Sequence, residues 1–419
     1  MTALILASFL GAAVLAIPIA HALLVAAMAA AATSDRVPLD LIVQQMVAQV
    51  QSFPLIAIPF FMLTGTLMMG GKLGEALIGV LSTLIGRFHG GPGQVGVLSS
   101  TIFGGVSGSA VADASAIGSL LIPWQKRLGY PPAFSAATLA AAATIDILIP
   151  PSIPMILFAL VSNTSIAALF VAGLLPGLLM CGLFMFVCWW VGRRRNFPRE
   201  TRKLDWAVFR KQLAYASPAL MLPALIVIFL RFGMATPTEV AVLSTLFAGL
   251  VSALIYRDLG LRRLHAAIVE AGLATGVVLL VIMASAAIGW LLTFDRMPDG
   301  VVAWAQAHLS SGWTVILMMN LLMLLCGMFI DLPAAVLLLT PVFVPLANAI
   351  GMDLTQLGIM MTVNLAIGLY TPPVGTTLFI TSALAKVKVG ETVRELGPFY
   401  LAAFFVLLLV SYVPASIIK

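Results

Sequence analysis

The chain has 419 residues, of which 61% are hydrophobic and 9% charged, and its mean hydropathy is +1.11. That composition excludes a soluble globular protein and points to a polytopic integral membrane protein. The net charge of +6 reads as a topology signal, because short basic loops stay in the cytoplasm, and it gives no support to a nucleic-acid partner.

In chain order, the apolar runs are long enough to cross roughly 30 Å of hydrocarbon as helices. Residues 2–32 carry no charge other than a possible one on His21 and lack the basic start of a secretory leader, so they read as the first spanning helix. A cleaved leader is the alternative, since the alanine-rich stretch near Ala29 suits a peptidase. A long helix follows over 41–70, then a short arm over 73–86, a re-entrant hairpin over 94–128, a broken helix over 133–163 and a helix over 165–191. The basic loop at 193–212, preceded by Trp189 and Trp190 as interfacial anchors, marks the cytoplasmic side. Beyond it lie helices over 213–230, 237–255 and 265–292, an arm over 298–309, a second hairpin over 313–350, a broken helix over 355–386 and a last helix over 390–417. Cys181, Cys188 and Cys326 all fall within apolar runs and read as packing residues.

The chain repeats itself. A shift of about 222 positions sets Gly105 on Gly327, Pro123 on Pro345, Gly129 on Gly351, Pro150 on Pro372, Pro151 on Pro373 and Pro176 on Pro398, without a gap. The two halves are therefore 1–192 and 213–419, joined by the basic loop. Counting crossings from that cytoplasmic loop brings the first hairpin in from the cytoplasm and the second from outside, so the repeats have inverted topology, with about nine full crossings in all. The fold class expected is all-α, with a re-entrant helical hairpin and a discontinuous transmembrane helix in each half.

Each half also breaks where lipid would forbid it. GGVSGS at 104–109 weakens a helix and leaves carbonyls that hydrocarbon cannot satisfy, which is tolerated only beside a cavity. Pro150, Pro151 and Pro154 remove amide donors from the first broken helix, as Pro372 and Pro373 do from the second. Carbonyls, hydroxyls and carboxylates at such breaks are hard oxygen ligands for alkali cations. Asp113 and Asp331 are isolated carboxylates in uncharged stretches, and each is costly unless it faces a cation or water. The bland role for Asp113 is to cap the second hairpin helix, and Asp146 is either a further ligand or a structural carboxylate. No Lys or Arg lies in either hairpin tip. An anionic substrate would thus be met by helix dipoles, by bound cations and by the hydroxyls of Ser107, Ser109, Ser152, Thr376 and Thr377. The backbone at Gly108, Pro150, Pro151, Pro372, Pro373 and Gly375 completes the expected substrate site.

The string GGVSGSAVADASAIGSLLIP followed by IPPSIP, with GMFIDLP and TPPVG in the second half, resembles the large membrane subunit of tripartite ATP-independent periplasmic (TRAP) transporters over essentially the whole chain. The resemblance implies sodium-coupled uptake of an organic acid across the bacterial inner membrane by an elevator-type movement of a transport domain against a scaffold. It implies two partners, a small four-helix membrane subunit and a periplasmic substrate-binding protein, and about two Na+ as coupling ions. By position it implies a first ion region at Ser107, Ser109, Asp113 and Ser152, and a second at Asp331, Asn364, Gly368, Thr371 and Thr376. No enzyme is expected, since neither HExxH nor GxSxG occurs. GPGQVG at 91–96 matches a dinucleotide fingerprint only literally, for no strand precedes it. The nearest rival is a sodium/dicarboxylate-type symporter that works without a binding protein.

Overall fold

A computed structural model describes residues 1–15, 17–33, 37–69, 72–199, 206–309 and 311–413, and every regular element among them is helical. The first two helices, α1 (Thr2–Val14) and α2 (Ile19–Ala32), correct the expectation of one spanning helix over 2–32. Pro18 stands at the start of α2 and disfavours helix in the residue before it, so the run is cut in two and the halves pack along each other. At 13 and 14 residues each, both are shorter than a crossing requires. The N-terminus is tied back by Thr2, whose amide and hydroxyl donate to Asp295 Oδ2 at 2.8 and 2.5 Å. These bonds hold the Asp295 carboxyl below its ordinary range. A depressed folded pKa means that the tie is at full strength at neutral pH and fades as pH falls through the carboxylate range.

The helix expected over 41–70 is likewise divided, into α3 (Leu39–Val50), a 3₁₀ turn at Phe53–Ile56 and α4 (Ala57–Met69), with a 60° bend. Pro54 causes it: the proline lacks an amide and excludes helical geometry just before it. Residue 70 lies outside the described residues. There follow α5 (Lys72–Ile85), α6 (Gly91–Ser107), α7 (Ala110–Arg127), α8 (Pro132–Ala142), α9 (Ile153–Ser162) and α10 (Ile166–Arg194). GPGQVG opens α6 and is preceded by helix α5, so it forms no strand–turn–helix cradle.

The basic loop is shorter than expected. Helix α10 runs on to Arg194 and α11 (Trp206–Arg231) begins early, because no breaker interrupts WAVFRKQ; residues 200–205 lie outside the described ones. Next come α12 (Pro237–Leu250), continued by a π turn over Val251–Ile255, α13 (Leu261–Phe294), α14 (Met297–His308), α15 (Gly312–Gly327), α16 (Leu332–Ala349), α17 (Leu354–Gly368) and α18 (Thr376–Ala385). The last expected helix, 390–417, is α19 (Val389–Glu395) and α20 (Gly397–Tyr412), bent by 57° where Gly397 and Pro398 interrupt it, and residues 414–417 lie outside the described ones. Among the described residues, five helices are long and apolar enough to cross a membrane, or seven if each bent pair is one span.

Helices α2, α3, α4, α12 and α13 form an outer layer, with α13 packed on α2, α3 and α4, and α12 on α4. The hairpins α6–α7 and α15–α16 pack with the broken pairs α8–α9 and α17–α18, and α8, α9 and α17 are almost wholly buried. Their packing is reciprocal. Helix α7 rests on α18 and α16 on α9, and α8 touches α18 while α17 touches α9. The short helices bridge the layers: α5 contacts α11 and α6, and α14 contacts α13 and α16.

Candidate functional site

The first centre forms where the tip of hairpin α6–α7 meets the break after α8. Gly108 adopts φ +60° there, and a Cβ on it would stand 2.5 Å from the Pro151 carbonyl oxygen, so only glycine lets the tip seat against the Pro150–Ser152 loop. Both prolyl bonds at Pro150–Pro151 and Pro372–Pro373 are cis. Ser109 caps α7, its Oγ accepting from the Ala112 amide at 3.4 Å, and Ser152 caps α9 in the same way through the Met155 amide. Ser152 also donates to the Ile147 carbonyl at 2.6 Å. Ser109 takes the capping role that Asp113 was an alternative for, which frees the Asp113 carboxylate for other work.

Asp113 and Asp146 are both fully buried. Ser107 Oγ donates to Asp146 Oδ2 at 2.8 Å, and the amides of Gly108 and Ser109 face the same carboxylate. Among the described residues its other oxygen has no hydrogen-bond partner, nor has either oxygen of Asp113, although the Ser100 hydroxyl faces Asp113. The two carboxylates stand close enough to repel each other. Buried carboxylate oxygens left without donors are costly in protein and costlier in a membrane. Hard, anionic and unpartnered, they fit an alkali cation.

The second centre is built differently. Val374 donates its amide to the Met328 carbonyl at 3.3 Å, which joins the loop after α17 to the tip of hairpin α15–α16. Asp331 starts α16 without capping it through its side chain. Asn364 Nδ2 donates to the backbone and side-chain oxygens of Asn320 at 2.9 and 2.8 Å, while its own Oδ1 is buried and unpartnered. Thr376 Oγ1 is also buried without a partner, whereas Thr371 Oγ1 donates to the Ile367 carbonyl. Gly368 lies against Gly327, so close that a Cβ would stand 2.4 Å from its carbonyl oxygen. Pro372 is half-buried, Pro373 exposed and Gly375 buried.

Thr377 is fully buried, and its hydroxyl lies within reach of the Leu369 and Ala140 carbonyls at 2.9 and 3.1 Å. It ties the second break to α8 of the first half rather than facing open space. Thr377→Val should lower the apparent unfolding midpoint in detergent, reflecting a loss of about 1 kcal/mol, with no change in the substrate concentration for half-maximal uptake. A raised half-maximal substrate concentration would restore it to the substrate site. A cavity of about 520 Å³ opens between the outer layer and hairpin α15–α16, lined by Gln45, Gln49, Asn163, Ser285 and Thr340 among others. None of the ion- or substrate-site residues expected from the sequence lines it.

The profile of the family described as the DctM component of the tripartite ATP-independent periplasmic transporter matches residues 6–416. The chain belongs to this family. Protein y4mL of Sinorhizobium fredii is 55% identical over 99% of both chains. The 2,3-diketo-L-gulonate TRAP transporter large permease protein YiaN of Escherichia coli is 35% identical, over 99% of this chain and 97% of that one. The YdaH transporter of Alcanivorax borkumensis, a solved structure, shares the fold with a TM-score of 0.63 at 16% identity, over 87% of this chain and 86% of that one. As a TRAP large permease, the chain is a multi-pass protein of the bacterial inner membrane and a transporter, not an enzyme.

Two polar groups escaped the sequence reading of this DctM-family chain. Ser100 could have been found by spacing, since it shares one face of α6 with Gly104 and Ser107 at intervals of four and three residues. Asn320 is a buried amide in an otherwise apolar helix, and its Nδ2 donates to Ser411 Oγ at 3.0 Å. Nothing local in the sequence couples it to Asn364.

Proposed function

We propose that this chain carries an organic acid into the cell, driven by about two sodium ions, with substrate handed over by a periplasmic binding protein and with a small four-helix membrane subunit as its permanent partner. The observation that carries the reading is Asp113, fully buried beside a broken helix with both carboxylate oxygens unpartnered. Such a group is stable in the membrane when a cation balances it. Bound sodium at the tips then supplies the positive charge that an anionic substrate meets, so each favours binding of the other. The relative named for 2,3-diketo-L-gulonate, a carboxylate, supports an acid as the substrate class.

The halves act as inverted repeats in this reading. The shift of the sequence that carries α7 onto α16 and α9 onto α18 also exchanges the contact of α7 with α18 for that of α9 with α16, and both contacts exist. The Arg195–Glu395 ion pair at 2.8 Å brings the end of α10 to the end of α19, joining two basic regions that the charge rule assigns to the cytoplasm. Movement is of the elevator type, the hairpins and broken helices sliding against the outer layer. Small residues sit where they would slide: a Cβ on Gly105 would stand 2.5 Å from Pro223 of α11, and one on Gly65 of α4 would stand 3.1 Å from Ser107.

The deciding experiment is uptake of labelled organic acids into proteoliposomes holding the chain and its small subunit, with and without an inward sodium gradient and the binding protein. Uptake that needs both is expected. Sodium-driven uptake without the binding protein would make the chain a stand-alone symporter, and uptake indifferent to sodium would end the coupling mechanism.

A further inference from the structure

We infer that Asp146 is a second acidic ligand of the first centre, and that with Asp113 and Ser100 it holds one monovalent cation more than the second centre can. The inference rests on the sodium-coupled reading above and concerns the same site. Its observations are the unpartnered oxygens. Asp146 Oδ1, both oxygens of Asp113 and Ser100 Oγ are all buried and, among the described residues, have no hydrogen-bonding partner. The titratable group beside Asp146 is Asp113, another carboxylate, and among the described residues no Lys or Arg acts on either. Two carboxylates with three free oxygens between them, and the free Ser100 hydroxyl beside them, make a ligand set with more negative charge than a single Na+ balances.

The helix opposite is shaped for it. Ser100, Gly104 and Ser107 lie on one face of α6, and Ser107 holds Asp146 by its Oδ2. A Cβ on Gly104 would stand 2.6 Å from Asp146 Cα and 2.7 Å from its free Oδ1. Glycine at 104 therefore leaves the space beside that oxygen open. At the repeat spacing, the second half has Leu322, Cys326 and Phe329 in place of Ser100, Gly104 and Ser107, and Gly368 in place of Asp146. An apolar face and a glycine offer no charge there. The second centre fills the room with backbone instead, Gly368 against Gly327.

The test is substrate accumulation in proteoliposomes with the small subunit and binding protein, the voltage clamped at zero and sodium tenfold higher outside. Each coupled ion multiplies the accumulation ratio by the gradient, so Asp146→Asn and Asp146→Gly should each accumulate about tenfold less than the wild type at steady state. Accumulation equal to the wild type overturns the inference while leaving sodium coupling standing, whereas a wild type that accumulates nothing on a sodium gradient overturns the reading beneath it. Should neither variant transport, the wild-type protein decides the matter with thallium(I) as the probe. A thallium site between Asp113 and Asp146, in addition to one at the hairpin tip, is expected, and its absence at saturating thallium refutes the extra ion.

Discussion

Asp113→Asn should raise the sodium concentration for half-maximal uptake on the order of a hundredfold, which corresponds to a loss of about 3 kcal/mol of cation binding. The substitution keeps the shape of the side chain and removes one unit of negative charge from a fully buried position. It differs from most buried-charge substitutions in that no protein partner is stranded, since neither carboxylate oxygen is hydrogen-bonded. The sodium-free protein should therefore unfold at the same temperature as the wild type or higher, because two carboxylates that repel each other become one. What disappears is the stabilisation that sodium confers on the wild type, which by mass action grows with its concentration. A variant that keeps the wild-type sodium midpoint, in uptake and in thermal stabilisation, would remove Asp113 from the ion site.

How far the site could be read in advance differs between its two ends. Composition and the spacing of glycines and prolines carried the membrane assignment and the places where helices stop, because Pro150, Pro151, Pro372 and Pro373 act on their own backbone wherever they sit. Pro18 and Pro54 act by the same rule, yet the runs around them are so apolar that hydropathy averaging passes over the breaks at 2–32 and 41–70. Asp113 was legible as a lone charge. The role of Asp146 was not, because a lone carboxylate in an apolar run looks the same whether a hydroxyl satisfies it or not. That depends on Ser107, which is 39 residues away. Asn364 poses the same problem through Asn320, 44 residues away. Pairings of this kind are made by packing between helices, and no periodicity within one helix encodes them.

Gly368→Ala should cost at least about 3 kcal/mol and leave little folded protein, while Gly327→Ala, at the other side of the same contact, should cost about 1 kcal/mol. The two glycines touch, but not symmetrically. A Cβ on Gly368 would stand 2.4, 2.5 and 2.8 Å from the carbonyl oxygen, carbonyl carbon and Cα of Gly327, all of them backbone. A Cβ on Gly327 would meet the Leu365 side chain at 3.2 Å and Gly368 Cα at 3.5 Å, and a leucine end can turn aside. Backbone cannot, because Gly327 closes α15 and Gly368 closes α17, and each is held by the helix behind it. The yield and the size-exclusion profile of the two purified variants read the difference directly. Should Gly368→Ala instead purify as a monodisperse protein with weakened sodium dependence, the glycine would be required by the ion rather than by the crossing of α15 and α17. The packing account excludes that outcome, because an added Cβ meets the Gly327 backbone whether or not an ion is bound.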